Sequence, residues 1–170
     1  ITLGGQELEC SQNDNRYTCS TTLTSDKFSD GSKTFEIIAT DTAGNTVPQS
    51  FGTVCIDTTD PLVISSIASP SPAALGDTLY YSLRLAEANL GTPTLSITPP
   101  LDIGEPNQDG NLYTWMYQTP NADTDITEAE LHALEGTYQV TANLSDLSGN
   151  EATVALNPIV LDTTMPAFSN

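Results

Sequence analysis

Positive charge is almost missing from this chain. Four cationic side chains, Arg16, Lys27, Lys33 and Arg84, face 22 acidic ones in 170 residues, giving a formal charge of -18. Such a surface cannot neutralise a phosphate backbone or hold an anionic bilayer, so nucleic acid and membrane surfaces are set aside as partners. No apolar run approaches the roughly 18 residues that a spanning helix needs, and no membrane insertion is expected in this segment. No signal peptide is visible either. A single histidine, His132, and the lack of any Cys-x-x-Cys pair leave zinc and thioredoxin-like chemistry without their ligands. Carboxylates abound, yet none shares a segment with a second candidate and a pocket-forming loop. No catalytic residue is assigned, and the chain reads as a non-enzyme.

Cysteine is scarce but informative. Cys10 and Cys19 flank Ser11-Gln12-Asn13-Asp14-Asn15, a polar stretch suited to a hairpin turn. Facing positions across a short hairpin satisfy the spacing of a disulfide, which points to an oxidising, extracytoplasmic compartment. Cys55 is left over. It reads as a buried small hydrophobe on a last strand, or as half of a pair with a residue elsewhere.

Nearly every segment alternates with period two between clusters of Gly, Pro, Asn and Asp, the pattern of half-buried antiparallel strands. The class is all-β, as a sandwich. Leu79, Tyr81, Leu83 and Leu85 face one way while Tyr80, Ser82 and Arg84 face the other. Trp115, the only tryptophan, lies in the strand Leu112 to Gln118; its ring reads as core, with an exposed Tyr113-Trp115-Tyr117 platform as the alternative. Thr127-Glu128-Ala129-Glu130 has capping-box spacing and predicts a short helix over Glu128 to Leu134. Phe35, Ile37 and Ala39 are expected to point inward, as are Tyr138, Val140, Ala142 and Leu144. Asn143-Leu144-Ser145 forms a glycosylation sequon.

One pattern occurs twice. Asp41-Thr42-Ala43-Gly44-Asn45 is followed by Asp57-Thr58-Thr59-Asp60-Pro61, and Asp146-Leu147-Ser148-Gly149-Asn150 by Asp162-Thr163-Thr164-Met165-Pro166, at an offset of 105 residues. Gly31 and Gly136 keep that offset. Repetition at this length indicates tandem domains rather than solenoid units of roughly 20–50 residues. The expected division is residues 1–60 as the C-terminal part of a domain whose first strands are missing, 61–164 as a complete domain, and 165–170 as a linker or the start of another.

These motifs resemble the bacterial immunoglobulin-like tandem repeats of large extracellular adhesins. Gly136-Thr137-Tyr138, the Asp146 turn and the Asp162 linker carry the resemblance, with Gly31, the Asp41 turn and the Asp57 linker in the first copy. It implies an immunoglobulin-like antiparallel sandwich and a place at the cell surface. It does not select a ligand, because such domains serve as stalks, spacers and binding tips alike.

An Asp-x-x-Gly-Asn turn has a structural use of its own, since Asp bonds its own turn and Gly tolerates positive φ. That does not account for Asp57 and Asp162 in the linkers. In the immunoglobulin-like topology the turn before the last strand lies beside the incoming linker, near the loop carrying Glu87 and Asn89. A Ca2+ site is therefore expected at Asp57, Asp60, Glu87, Asp146 and Asn150, with Asp162 starting the next site and Asp41 finishing the previous one. A rigid linker without metal is the competing expectation. Function follows as a stalk or spacer with calcium-rigidified junctions, its partners being neighbouring repeats of the same chain and a surface glycan or protein ligand. The alternatives are a carbohydrate-binding or accessory module of a secreted hydrolase and a subunit of a surface filament that receives a donated strand.

Overall fold

The computed structural model describes residues 1–87, 90–121 and 127–164, and the chain divides into two units, Ile1–Thr59 and Asp60–Asn170. Residues 165–170, expected as a linker or the start of another domain, and Asn89 lie outside the described residues.

The first unit holds β1 (Thr2–Leu3), β2 (Gln6–Glu7), β3 (Glu9–Asn13), β4 (Arg16–Ser20), β5 (Gly31–Thr40) and β6 (Thr46–Ile56). One sheet runs β2-β1-β5-β6, and β3 and β4 form a separate hairpin. Cys10 stands directly opposite Cys19 in that hairpin, and the two form the expected disulfide with Cα atoms 4.0 Å apart. A small core of Leu3, Phe28 and Ile56, with Leu8, Phe35 and Val54 against it, covers one end of the sheet. The inward expectation for Phe35, Ile37 and Ala39 therefore holds in part: Phe35 and Ile37 are both half-buried, Phe35 against that core, while Ala39 is exposed. Cys55 is exposed rather than buried, since it pairs with Ser32 on β5 with its side chain turned away from that core.

The second unit is an antiparallel sandwich. Its strands are β7 (Val63–Ser69), β8 (Thr78–Leu85), β9 (Thr94–Thr98), β10 (Asn107–Asp109), β11 (Leu112–Gln118), β12 (Gly136–Ser145), β13 (Glu151–Ala155) and β14 (Ile159–Leu161). One sheet runs β10-β11-β8-β7. In the other, β12 is central, with β9 along one edge and β13 then β14 along the other. Named in chain order, those strands give the D-E-B-A and C-F-G sheets of an immunoglobulin-like sandwich. Alternation does the sorting: Leu79, Tyr81, Leu83 and Leu85 are buried along β8 while Tyr80 and Arg84 are exposed. They meet Tyr113 and Trp115 of β11 and Tyr138, Val140, Ala142 and Leu144 of β12 in one continuous core.

Two details lock the sheets together. After Ser69-Pro70-Ser71-Pro72 ends β7, Ala73 joins the other sheet, donating to the Val160 carbonyl at 2.9 Å and accepting from Asp162 N at 2.9 Å. The alternating segment Ala152 to Val160, which the sequence pattern predicts as one last strand, is interrupted between β13 and β14 and the register steps, so that Asn157 turns toward β7. Its amide donates to Ser66 Oγ (2.9 Å) and its carbonyl accepts from the Tyr81 hydroxyl (2.7 Å).

Helix α1 (Glu128–Leu134) occupies its expected position, with Thr127 and Glu130 closing a reciprocal capping box. The Tyr138 hydroxyl, near the start of β12, donates to the Leu134 carbonyl at 2.8 Å. A tyrosine bonding back to backbone a few residues upstream at this corner is a recurrent feature of immunoglobulin-like sandwiches.

Candidate functional site: the repeated turn and linker

The two Asp-x-x-Gly-Asn turns are near copies. Asp41 Oδ1 accepts from the amides of Ala43 and Asn45, each at 2.9 Å, and Oδ2 from Asn45 Nδ2 at 2.8 Å. Asp146 Oδ1 accepts from the amides of Ser148 (2.8 Å) and Asn150 (2.9 Å), and Oδ2 from Asn150 Nδ2 at 2.7 Å. Gly44 and Gly149 have φ of 90° and 93°, a region that a side chain resists. Hydrogen bonds from the Asn45 side chain and then its amide hold the Asp41 carboxyl below the ordinary value. Burial pushes the Asp146 carboxyl up, but the bonds from the Asn150 side chain and the Asn150, Ser148 and Gly149 amides outweigh it, and its pKa is also lowered.

The linkers carry a second repeated device. Asp57 Oδ1 accepts from Thr59 N at 3.2 Å, and Asp162 Oδ1 from Thr164 N at 3.2 Å, so both linker aspartates cap their own Thr-Thr pair. Each linker is also tied back to its own unit. Asp30 Oδ1 accepts from Thr58 N (2.7 Å) and Thr58 Oγ1 (2.8 Å), and Asp30 Oδ2 accepts from Thr59 Oγ1. In the second unit Glu135 Oε2 accepts from Thr164 Oγ1, while Thr163 Oγ1 donates to the Leu131 carbonyl at 2.8 Å. Asp30 and Glu135 are equivalent at the 105-residue offset, each preceding the glycine that opens a penultimate strand, Gly31 with φ of 104° and Gly136 with φ of 140°. A glycine there lets the chain swing so that the preceding carboxylate lies over the outgoing linker. Bonds from the Thr59 hydroxyl first, then from Thr58, lower the Asp30 carboxyl pKa.

Sequence reasoning missed Asp30 and Glu135. The signal that would have found them is an acidic residue before each repeated glycine, with threonines 28 and 29 positions further on.

The expected metal ligands distribute as follows. Asp41 and Asp57 belong to the first unit; Asp60, Glu87, Asp146, Asn150 and Asp162 belong to the second. Within the second unit the incoming chain, the β8–β9 loop and the Asp146 turn meet at one end. Ala86 N donates to the Leu62 carbonyl at 2.8 Å, Leu90 bridges to Asp146, and Gly91 N donates to the Ser145 carbonyl at 2.9 Å. Asp60 and Glu87 adjoin these contacts in sequence. Among the described residues, no three His, Cys, Asp or Glu side chains are gathered as a metal centre.

Trp115 is a core residue. It is 3% exposed, with its ring centroid 6.5 Å from that of Tyr81 and 6.4 Å from that of Tyr113. The Tyr113-Trp115-Tyr117 sugar platform is therefore not formed. His132 lies on the exposed side of α1. Among the described residues, no helix is long and apolar enough to cross a membrane.

No family model matches the chain, and no curated protein matches it. Among solved structures it is similar to the Bacteroides ovatus mixed-linkage glucan utilization locus protein SGBP-B, determined in complex with a mixed-linkage heptasaccharide. Identity is 16% over 95% of this chain and 36% of that one, with a TM-score of 0.27. The chain thus spans about a third of that protein's length, and a likeness this distant carries no functional argument.

Proposed function

We propose that the chain is a repeat segment of an extracellular cell-surface protein, acting as a stalk or spacer whose units each fix the direction of their outgoing linker. The observation that carries this reading is the repeated latch: Asp30 on Thr58 and Thr59, and Glu135 on Thr164. A binding module has no need to hold its exit in the same way twice, whereas a stalk transmits orientation only if each exit is fixed. The Cys10–Cys19 disulfide fits an oxidising compartment. The latch needs no cation, which favours the metal-free rigid linker.

A calcium-stiffened form is the second reading, favoured by the convergence of the Leu62, Ala86, Leu90 and Asp146 backbone at one end of the second unit. In that form Asp57, Asp60, Glu87, Asp146 and Asn150 would supply oxygen ligands, with Asp162 and Asp41 serving the adjoining junctions.

Small-angle scattering on chelator-treated chain, on calcium-loaded chain and on the Asp30→Ala variant separates the two. The latch reading expects Asp30→Ala to broaden the distance distribution, with calcium leaving the parent unchanged. An unchanged distribution in Asp30→Ala overturns it. Saturable narrowing by calcium, abolished in Asp57→Ala with Asp146→Ala, puts the metal form in its place.

A further inference from the structure

The two outer faces of the second unit's sandwich differ in chemistry. On the sheet of β9, β12 and β13 the paired rows are Thr94-Asn143-Thr153 and Ser96-Thr141-Ala155, polar or small throughout. On the sheet of β10, β11, β8 and β7 the outward rows carry Ile67, Tyr80, Leu112 and Met116, all exposed, Tyr80 by 48% and Met116 by 61%. The same face holds Arg84, the only Lys or Arg among residues 60–170.

Register fixes three rows across β8, β11 and β10. Arg84 stands opposite Leu112, which stands opposite Asp109. Ser82 stands opposite Thr114, which stands opposite Asn107. Tyr80 stands opposite Met116, and there β10 has not yet begun, so the third place in the row is open. A groove of about 700 Å3 lies there, lined by Tyr80, Met116, Asn107 and the Ile103-Gly104-Glu105 loop. β8 thus offers a cation, a hydroxyl and an aromatic ring in order, and the β10 side offers a carboxylate, an amide and a groove in the same order.

That order is self-complementary. Turning a second copy by a half-rotation about an axis along β11 lays its β8 over β10 and its β10 over β8, while each row stays opposite itself. Arg84 of each copy then faces Asp109 of the other, Ser82 faces Asn107, and each Tyr80 ring enters the other's groove beside Met116. Sheets stacked face to face keep their strand directions within about 30°, so the match holds over three rows. An axis across the strands would set β8 on β8 and cover Asp109 with no cation opposite it.

We infer that this face binds a second copy of the chain, side by side and running in the same direction, through reciprocal Arg84–Asp109 ion pairs around Leu112 and Met116. Charge selects the occupant, because the second unit's one cation finds a carboxylate at its symmetric position. The facing strands span roughly 15 by 20 Å, the low end of specific interfaces, so association is weak and reversible, on the order of 100 μM. The inference stands independently of the stalk reading.

Sedimentation equilibrium of the full chain up to about 1 mM, in about 0.15 M salt to screen long-range repulsion, reads the association. The parent is expected to dimerise, and Arg84→Glu and Asp109→Arg each to weaken the dimer roughly tenfold or more by setting like charges opposite. An equimolar mixture of the two variants restores opposite charges at both positions and is expected to associate within about threefold of the parent. Thr153→Glu, on the other outer face, should leave association unchanged. A parent that stays monomeric, a dimer indifferent to both reversals, a mixture that does not recover, or equal weakening by Thr153→Glu overturns the inference. Should Trp115 emission show either reversal variant unfolded, Met116→Glu, which sets two carboxylates face to face on the axis, takes its place, and undiminished association in that variant overturns the inference.

Discussion

Removing one oxygen atom tests the corner that joins α1 to the sandwich. Tyr138 is buried, and its hydroxyl reaches the Leu134 carbonyl at 2.8 Å, in the last turn of a helix where carbonyls lack intrahelical partners. Tyr138→Phe keeps the ring in the core and deletes this bond. A net hydrogen bond contributes about 1 kcal/mol, and a carbonyl left partly shielded adds to the cost, so about 1–2 kcal/mol is expected. For a unit of this size that corresponds to a drop of about 4–8 °C in unfolding midpoint. Trp115 is the chain's only tryptophan and lies in the core of the second unit, so its emission reports that unit's transition alone. Denaturant melts should show a lower midpoint at unchanged slope. Tyr80→Phe, at an exposed position on the outer face of β8, serves as control and should stay within about 0.5 kcal/mol of the parent. A Tyr138→Phe midpoint no different from Tyr80→Phe refutes the corner as a stabilising contact.

Two further outcomes follow. Asp30, Asp41 and Asp146 all have folded pKa values below the ordinary one of about 4, so their contribution is complete above that value and lost as pH falls through the lower folded values; melts should show no stability change assignable to these carboxyls from neutrality down to about pH 5 and a loss below about pH 4, and a loss restored by Asp30→Asn or Asp41→Asn near neutrality would contradict this sign. Trp115→Ala should cost about 3–5 kcal/mol by emptying the space between Tyr81 and Tyr113, checked by calorimetry, and the parent's emission should be blue-shifted and protected from iodide.

Much of the second unit was legible because period-two alternation is a backbone property. β11 and α1 fall where spacing placed them, Leu112–Gln118 and Glu128–Leu134, since the tyrosine-tryptophan alternation and the capping box are both local. Nothing in the sequence near Asn157 announces the break in the last strand. Its interruption serves Ser66 and Tyr81, which are distant in sequence. Phe35, Ile37 and Ala39 show the converse limit: alternation fixes which residues share a face, but whether that face is covered depends on a second sheet that local pattern cannot supply.

The acidic motif illustrates how one residue type divides its duties. Four aspartates recur at a fixed offset, and high negative charge made metal binding the natural expectation for those that turn formation left unexplained. The geometry gives each a backbone task. Asp41 and Asp146 close hairpin turns, and Asp57 and Asp162 cap the Thr-Thr pair that follows them. Yet the restraint that fixes the linker to its unit comes from carboxylates outside the motif, Asp30 and Glu135. Their positions differ by a methylene between copies, and the partners shift with it: the shorter Asp30 engages both threonines, whereas Glu135 takes only Thr164, and Thr163 turns instead to the Leu131 carbonyl of a helix the first unit lacks. The exit is therefore held in both units although the bonds that hold it differ, which is the behaviour expected if the direction of the linker, and not any one contact, is what the repeat preserves.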